Sequence, residues 1–468
     1  MKSSSQLLVL ALVAVSCKDK NTVETDPPAV DPPTWYQDVQ PIVHHHCTNC
    51  HIDNGVADRF PWSTYEETAP WATVIAQQVG DRIMPPFIAD DAPDGDPCEH
   101  QFPFMHDRRL SDDEIAIVVD WADGGALEGD AGDPAPLIPP VGTSFAAFDN
   151  EVAPENGWSM GKGDISICWS LDPQIVGTEW LTGVEVVPGD NRITHHIQIQ
   201  VHEDDQVGQA NADPETGYWE CTGVGGLGGT DFAGWLPGTA PVTMPDGIAV
   251  GMTPSSRITM QIHYHNVYDE EISDKTSLRL QYGTRPSYVE PHIFRIGNAT
   301  THAQGLLPGP ADNGAPEFRI PANASGHTEE MVFTVPGPRF EFYAFMLTNH
   351  MHYAGVDMRM WVHRDPAFKE PDEPDVECLL ATPRYDFGWQ SFFYFDAPSR
   401  QAPVVRTGDE IRVLCTFDNT TDNALLMEAL DAEGMPQIPR DVSMGAASTD
   451  EMCLGMLGAV EKAPLDAR

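Results

Sequence analysis

Several short stretches of this chain carry side chains that hold metals or cofactors. Cys47-Thr48-Asn49-Cys50-His51 is a CxxCH sequence. Two thiols at that spacing can add to both vinyl groups of one haem, and the adjacent imidazole then reaches the iron. A covalent haem c on Cys47, Cys50 and His51 is the expectation, although the same spacing also serves as half of a zinc site. The run His44-His45-His46 just before it reads as a polar helix end.

Further along stand His195-His196, then His263 in Gln261-Ile262-His263-Tyr264-His265, then His350-Met351-His352, then Met452 in Thr449-Asp450-Glu451-Met452-Cys453. On a strand, residues i and i+2 point the same way, so His350 and His352 can chelate one ion. His195 and His196 face opposite sides of an ideal strand and can share an ion only across a twist or bulge. Imidazoles suit Cu, Zn, Fe and Ni, whereas a thioether selects Cu(I). Each motif alone fits a hydrogen-bonded structural histidine equally well; the argument rests on their combination.

The surrounding pattern indicates what must position these groups. Residues 34–128 read as helical: Trp35, Val39, Ile42 and Val43 recur at helical spacing before Cys47. Ser111-Asp112-Asp113-Glu114 is a capping box. It opens a helix that stops at Gly124-Gly125. A Pro/Gly/Asp linker covers 129–142. From 143 onward, runs such as Trp180 to Val187, Ile193 to Val201, Ile258 to Val267, Phe340 to Leu347, Val356 to Val362 and Ile411 to Phe417 read as strands, separated by turn residues. That is too much for one sandwich. The expectation is a multidomain protein: a small all-α domain, then two tandem all-β sandwiches at 143–290 and 291–468, with the break near 285–295.

The charge is −45, from 26 Lys+Arg against 71 Asp+Glu. Such a surface repels nucleic acid and anionic lipid, which excludes a nucleic-acid function. Lys2 followed by the apolar run Leu7 to Val15 reads as an export signal. Ala14-Val15-Ser16-Cys17 resembles a lipobox, so residues 1–17 are expected to be a lipoprotein signal ending at a lipidated Cys17, and 18–33 a Pro-rich acidic tether. This implies a periplasmic or cell-surface location, with membrane contact only through the lipid. Export also permits disulfides.

The Met84-Pro85 pair in Arg82-Ile83-Met84-Pro85-Pro86 resembles the axial-Met segment of class I cytochromes c. The resemblance makes Met84 the sixth haem ligand, with Met105 and the run His44-His45-His46 as competitors, and implies a haem that moves electrons rather than binding oxygen. Residues 143–460 resemble the copper type II, ascorbate-dependent monooxygenases, the family of peptidylglycine α-hydroxylating and dopamine β-monooxygenases. The order HH, QxHY, HxH, DEMC is that family's order, supported by Tyr218-Trp219-Glu220-Cys221 and by Gly408-Asp409 leading to Cys415-Thr416-Phe417.

The resemblance implies two copper ions. His195, His196 and His263 would hold the electron-storing one, with Gln261 beside them. His350, His352 and Met452 would hold the one that meets O2. It implies Cys168–Cys221 and Cys415–Cys453 disulfides and leaves Cys98 and Cys378 unassigned. It implies hydroxylation of a C–H bond in a small organic substrate, with electrons from an ascorbate-like reductant, a redox protein or the fused haem domain. The family's peptidylglycine members hold a substrate carboxylate with an Arg two residues before the HxH and a Tyr four after the Met. Thr348 and Met456 stand at those places, so a C-terminal glycine is not the expected substrate. The rival reading is a non-catalytic exported redox lipoprotein carrying copper and electrons.

Overall fold

The computed structural model describes residues 31–142, 144–221, 228–286, 291–297, 305–337, 340–398, 401–445 and 447–462. The export signal, Cys17 and most of the acidic tether lie outside the described residues. No helix among the described residues is long and apolar enough to cross a membrane.

The N-terminal part is helical, as its periodicity requires. Trp35, Val39, Ile42 and Val43 pack with Trp62, Ile75, Val79, Leu110, Val118 and Trp121 into one small core. Trp35 and Trp121 lie 5.9 Å apart between ring centroids. The capping box forms: Ser111 Oγ accepts from Glu114 N, and Glu114 Oε2 accepts from Ser111 N. The helix Asp112–Asp123 it opens ends at Gly124, with Gly125 at a positive φ of 89°.

The helical part is finer-grained than its sequence pattern. After the helix Ala72–Gly80 the chain leaves it, and Ile88, Ala89 and Phe104 join the core of the distant C-terminal sandwich. Cys98 forms a disulfide with Cys378, 280 residues away in sequence. Met105 N donates to Tyr394 O at 2.8 Å. The chain then returns to the helical core at Leu110. The linker that follows is also docked: Gln37 Nε2 donates to the carbonyls of Asp130 and Asp133, and the ring N–H groups of His44 and His45 donate to Ile138 and Pro139. His46 binds the Arg108 carbonyl and Glu114. The three histidines therefore pin chain, as a polar helix end would.

The rest is all-β. Residues 150–283 form two five-stranded sheets over one core, with a small two-stranded sheet of Trp158–Met160 and Ile272–Asp274 beside them. Their shared core includes Ile167, Trp169, Leu181, Val184, Ile197, Leu278 and Leu280, drawn from both sheets. Residues 292–461 form a five-stranded and a four-stranded sheet over a second core. All strand pairs are antiparallel. The two sandwiches touch directly. Tyr394 Oη donates to Phe232 O at 2.9 Å, and Arg295 Nη2 meets Asp231 Oδ2 at 3.0 Å. Tyr343, Phe345, Met346 and Val460 of the second sandwich pack into the core of the first. The remaining cysteine pairs are Cys168–Cys221 and Cys415–Cys453.

Candidate metal centres

The strands Thr194–His202 and Arg257–Asn266 are antiparallel neighbours, with His196 opposite His263 and Thr194 opposite Tyr264. His195 is thus the extra residue of a β-bulge. A bulge re-aims a side chain that an ideal strand would turn away, which removes the obstacle to His195 and His196 sharing an ion. His195 Nδ1 lies 3.1 Å from His196 Nδ1, which lies 3.4 Å from His263 Nδ1. One ligand atom from each of the three falls within 4.8 Å of the others.

Asp164 orients this cluster from the neighbouring strand Gly163–Leu171. Its Oδ1 accepts from His263 Nε2 at 2.7 Å, and its Oδ2 accepts from His265 Nδ1 at 2.8 Å. A donating Nε2–H leaves the lone pair of His263 on Nδ1, toward the other two rings. Burial, and the neighbouring rings of His263 and His265, hold His195 down at about 4. His196 is lowered further, by burial first and then by His263, His195 and, across the sandwich boundary, His350. His195 and His196 thereby offer neutral lone pairs, and the Asp164 contact turns the Nδ1 lone pair of His263 toward them. Gln261 is buried two residues before His263, and its Oε1 has no hydrogen-bond partner among the described residues.

The second cluster sits on the other sandwich. His350 ends the strand Glu341–His350 and His352 follows it. Their ring centroids are 5.0 Å apart. His350 Nδ1–H donates to Gln390 Oε1 at 2.5 Å, and His352 Nδ1–H donates to Asp450 O at 3.0 Å. Both rings therefore keep Nε2 as the free lone pair. Burial holds His350 down at about 4, helped by His352.

Glu451 ties the DEMC turn to this pair. Its buried carboxylate accepts from the backbone N–H groups of His352, Ala354 and Met452 at 2.8, 2.7 and 3.1 Å. Burial lifts Glu451 to about 8 against the pull of those donors. Cys453, fixed to Cys415, anchors the other side of half-buried Met452. Two imidazoles with centroids 5.0 Å apart, together with a Met on the turn that Glu451 ties to His352, are a donor set that suits a soft, thioether-accepting ion. Sequence reasoning missed Asp164, Gln390 and Glu451. The first two are distant in the chain from the histidines they orient. Glu451 stood inside a quoted motif, but with no sign that it would turn inward.

At the helical part, Cys50 and His51 form a turn after the helix Gln40–His46, both amides donating to Cys47 O. Cys47 and Cys50 are free thiols, whereas the other described cysteines are paired. Burial pushes the Cys47 thiol up to about 12. His51 Nδ1–H donates to Phe60 O at 2.9 Å, so its Nε2 carries the lone pair, as an iron ligand needs. Its ring stacks on Trp62 with centroids 3.6 Å apart. Met84 is half-buried in the turn after Ala72–Gly80. Met105 lines a cavity with Arg108, Gly238, Phe392 and Tyr394, where the helical part and both sandwiches meet.

No family model matches the chain, and no curated protein matches it. Among solved structures, it has a similarity to the N-terminal CBM22-1-CBM22-2 tandem domain of Xyn10C from Paenibacillus barcinonensis. The identity is 10% and the TM-score 0.15, over 66% of this chain and 84% of that one. A likeness that slight carries no argument about fold or activity.

Proposed function

We propose that the chain is a copper-dependent monooxygenase that hydroxylates a C–H bond of a small organic substrate, with electrons delivered through a c-type haem on Cys47, Cys50 and His51. The observation that carries the reading is that each of two abutting sandwiches offers a cluster of imidazoles whose ring orientation is fixed by hydrogen bonds to Asp164, Gln390 and the Asp450 carbonyl. A solitary cluster would suit storage or structure. One on each of two abutting sandwiches suits the delivery of two electrons to one substrate.

The overall reaction takes RH, O2, two electrons and two protons to ROH and water. Copper, when bound, supplies the oxygen chemistry and the one-electron steps. The residues of this chain do the rest. His195, His196 and His263 would hold one ion through Nδ1, with Asp164 fixing the tautomer of His263. His350 and His352 would hold the other through Nε2, with Gln390 and Asp450 fixing theirs. Met452 adds the thioether that favours Cu(I). Thr348 and Met456 line a substrate face with no added charge. Three disulfides agree with an oxidising compartment. Export, with a lipid at Cys17, belongs to this proposal.

The test is metal and haem analysis of full-length protein from a cytochrome-maturing host, followed by oxygen uptake against small neutral and amine substrates. Two coppers, one haem and product-coupled uptake are expected. Bound copper and haem without any product would instead leave the redox-carrier reading, and absence of both would sink each of them.

A further inference from the structure

One side chain, Tyr268, joins the CxxCH turn to the three-histidine cluster. Its hydroxyl donates to Asp58 Oδ1 at 2.7 Å. The Arg59 guanidinium lies over its ring at 4.8 Å, and Arg192 lies 5.7 Å from the same ring. Asp58 and Arg59 immediately precede Phe60, whose carbonyl accepts the His51 Nδ1–H. On the sandwich side, Tyr268 N donates to Asn266 Oδ1 at 2.8 Å. Asn266 ends the strand that carries His263 and His265. Arg192 stands three residues before His195, and Ile193 O accepts from His265 N. Tyr268 is therefore held at its hydroxyl and ring by the segment that fixes His51, and at its ring and backbone by the two segments that carry His195, His196 and His263.

A second contact brings the same sandwich against the CxxCH turn. Gly238, at a φ of +80°, packs so that a Cβ there would lie 3.2 Å from Cys50 Sγ and 2.9 Å from Arg108 Nη1. Only a residue without a side chain lets the loop approach the thiol this closely. A plain packing tyrosine needs neither arginine. Arg192 is fixed by Asp190 and Glu270 of its own sandwich, so the ring meets a pre-set guanidinium on one side of the junction and Arg59 of the CxxCH segment on the other.

We infer that Tyr268 is the positioning residue that docks the CxxCH turn on the first sandwich, so that electrons leave the haem for the site at His195, His196 and His263. The inference rests on the proposed function. The transfer would be of one electron, from ferrous haem held by Cys47, Cys50 and His51 to cupric copper held by His195, His196 and His263, leaving ferric haem and cuprous copper. An external reductant of the ascorbate class reloads the haem. Tyr268 touches neither centre and acts through Asp58, Arg59, Asn266 and Arg192.

The experiment uses the full-length protein with both centres loaded, without O2 or substrate. Flash photoreduction delivers one electron to the haem. Its reoxidation is followed in the visible band while the cupric resonance signal is read in parallel. Tyr268→Ala is expected to slow reoxidation at least about tenfold, the effect of misplacing a positioned group by around an ångström. Haem spectrum and copper content should not change. Tyr268→Phe, which keeps the ring under Arg59, should fall between. If Tyr268→Ala does not fold, exposed Arg59→Gln combined with Asp58→Asn tests the same contact. A wild-type rate in these variants, with both centres loaded, overturns the inference alone. An unaltered protein that carries no haem or no copper overturns the proposed function and the inference with it.

Discussion

Asp164 Oδ1 accepts the Nε2–H of His263 at 2.7 Å, and so turns the Nδ1 lone pair of that ring toward His196. The same carboxylate takes the Nδ1–H of His265. These contacts lower Asp164 well below the usual carboxylate range, against the effect of its burial. An anion that bridges two imidazoles also raises the basicity of the ligand ring. Asp164→Ala should therefore weaken copper at the three-histidine site about ten- to a hundredfold, the usual effect of removing such a partner. Competition with a Cu(I) chelator measures it, and an unchanged affinity would show that Asp164 serves only the surface.

The haem reading predicts that denatured protein keeps its haem and that Cys47→Ala with Cys50→Ala abolishes the attachment. The sixth ligand is then found by spectroscopy. Met84→Ala should open the iron to added imidazole or cyanide, while Met105→Ala should not. Should the outcomes be reversed, the ligand is Met105, at the junction cavity beside Arg108 and Gly238.

How far the sequence reached is clearest at particular residues. The helical start at Ser111 and the strand texture after 143 follow from local rules of capping and alternation, whereas the grouping of His195, His196 and His263 is what the family resemblance implies. The bulge at His195 was a requirement of the reading rather than something visible in the letters, because register depends on the partner strand. The excursion that carries Ile88, Cys98 and Phe104 onto the second sandwich was invisible. Its apolar residues have no period, and nothing local distinguishes a core contact 280 residues away from a nearby one. Asp164 and Gln390 were missed for the same reason: a carboxylate or amide that orients a metal ligand across strands leaves no spacing rule.

The Cys98–Cys378 bond closes a loop of 280 residues. In the chain-entropy picture a loop of that length is stabilised by about 5 kcal/mol. Cys98→Ala with Cys378→Ala should lower the thermal midpoint and expose the segment from Asp90 to Met105 to proteolysis. Copper at both sites should persist. Cleavage at the wild-type rate would mean that Ile88 and Phe104 hold the segment without the bond.

Arg295, Met456, Thr348 and Phe392 stand side by side across one sheet. The guanidinium of Arg295 is bonded to Asp231 of the first sandwich. A substrate carboxylate arriving at Thr348 and Met456 would find the neighbouring guanidinium of Arg295 already paired with Asp231. Burying it without a partner costs on the order of 3 kcal/mol, so glycine-extended peptides should show kcat/KM at least about a hundredfold below the best neutral substrate. Efficient, saturable turnover of such a peptide would contradict this.

Met452 gives the sharpest test of the metal assignment. Most methionines simply fill cores. This one is half-buried, with Glu451 on one side braced by the amides of His352 and Ala354, and Cys453 on the other fixed to Cys415. A side chain used only as filler would not need one neighbour bonded to the amides around His352 and the other fixed by a disulfide to the strand Glu410–Asp418. Met452→Ala should weaken Cu(I) at His350 and His352 and abolish oxygenation, while copper at His195, His196 and His263 and the haem spectrum stay as they are. Met452→His, which keeps a ligand but loses the soft sulfur, should retain copper and shift its preference toward Cu(II). His263→Ala should do the opposite of Met452→Ala: it should spare copper at the second site and stop two-electron turnover. If Met452→Ala keeps two coppers and full activity, the thioether is core packing, and His350 with His352 must find a third ligand elsewhere or hold none.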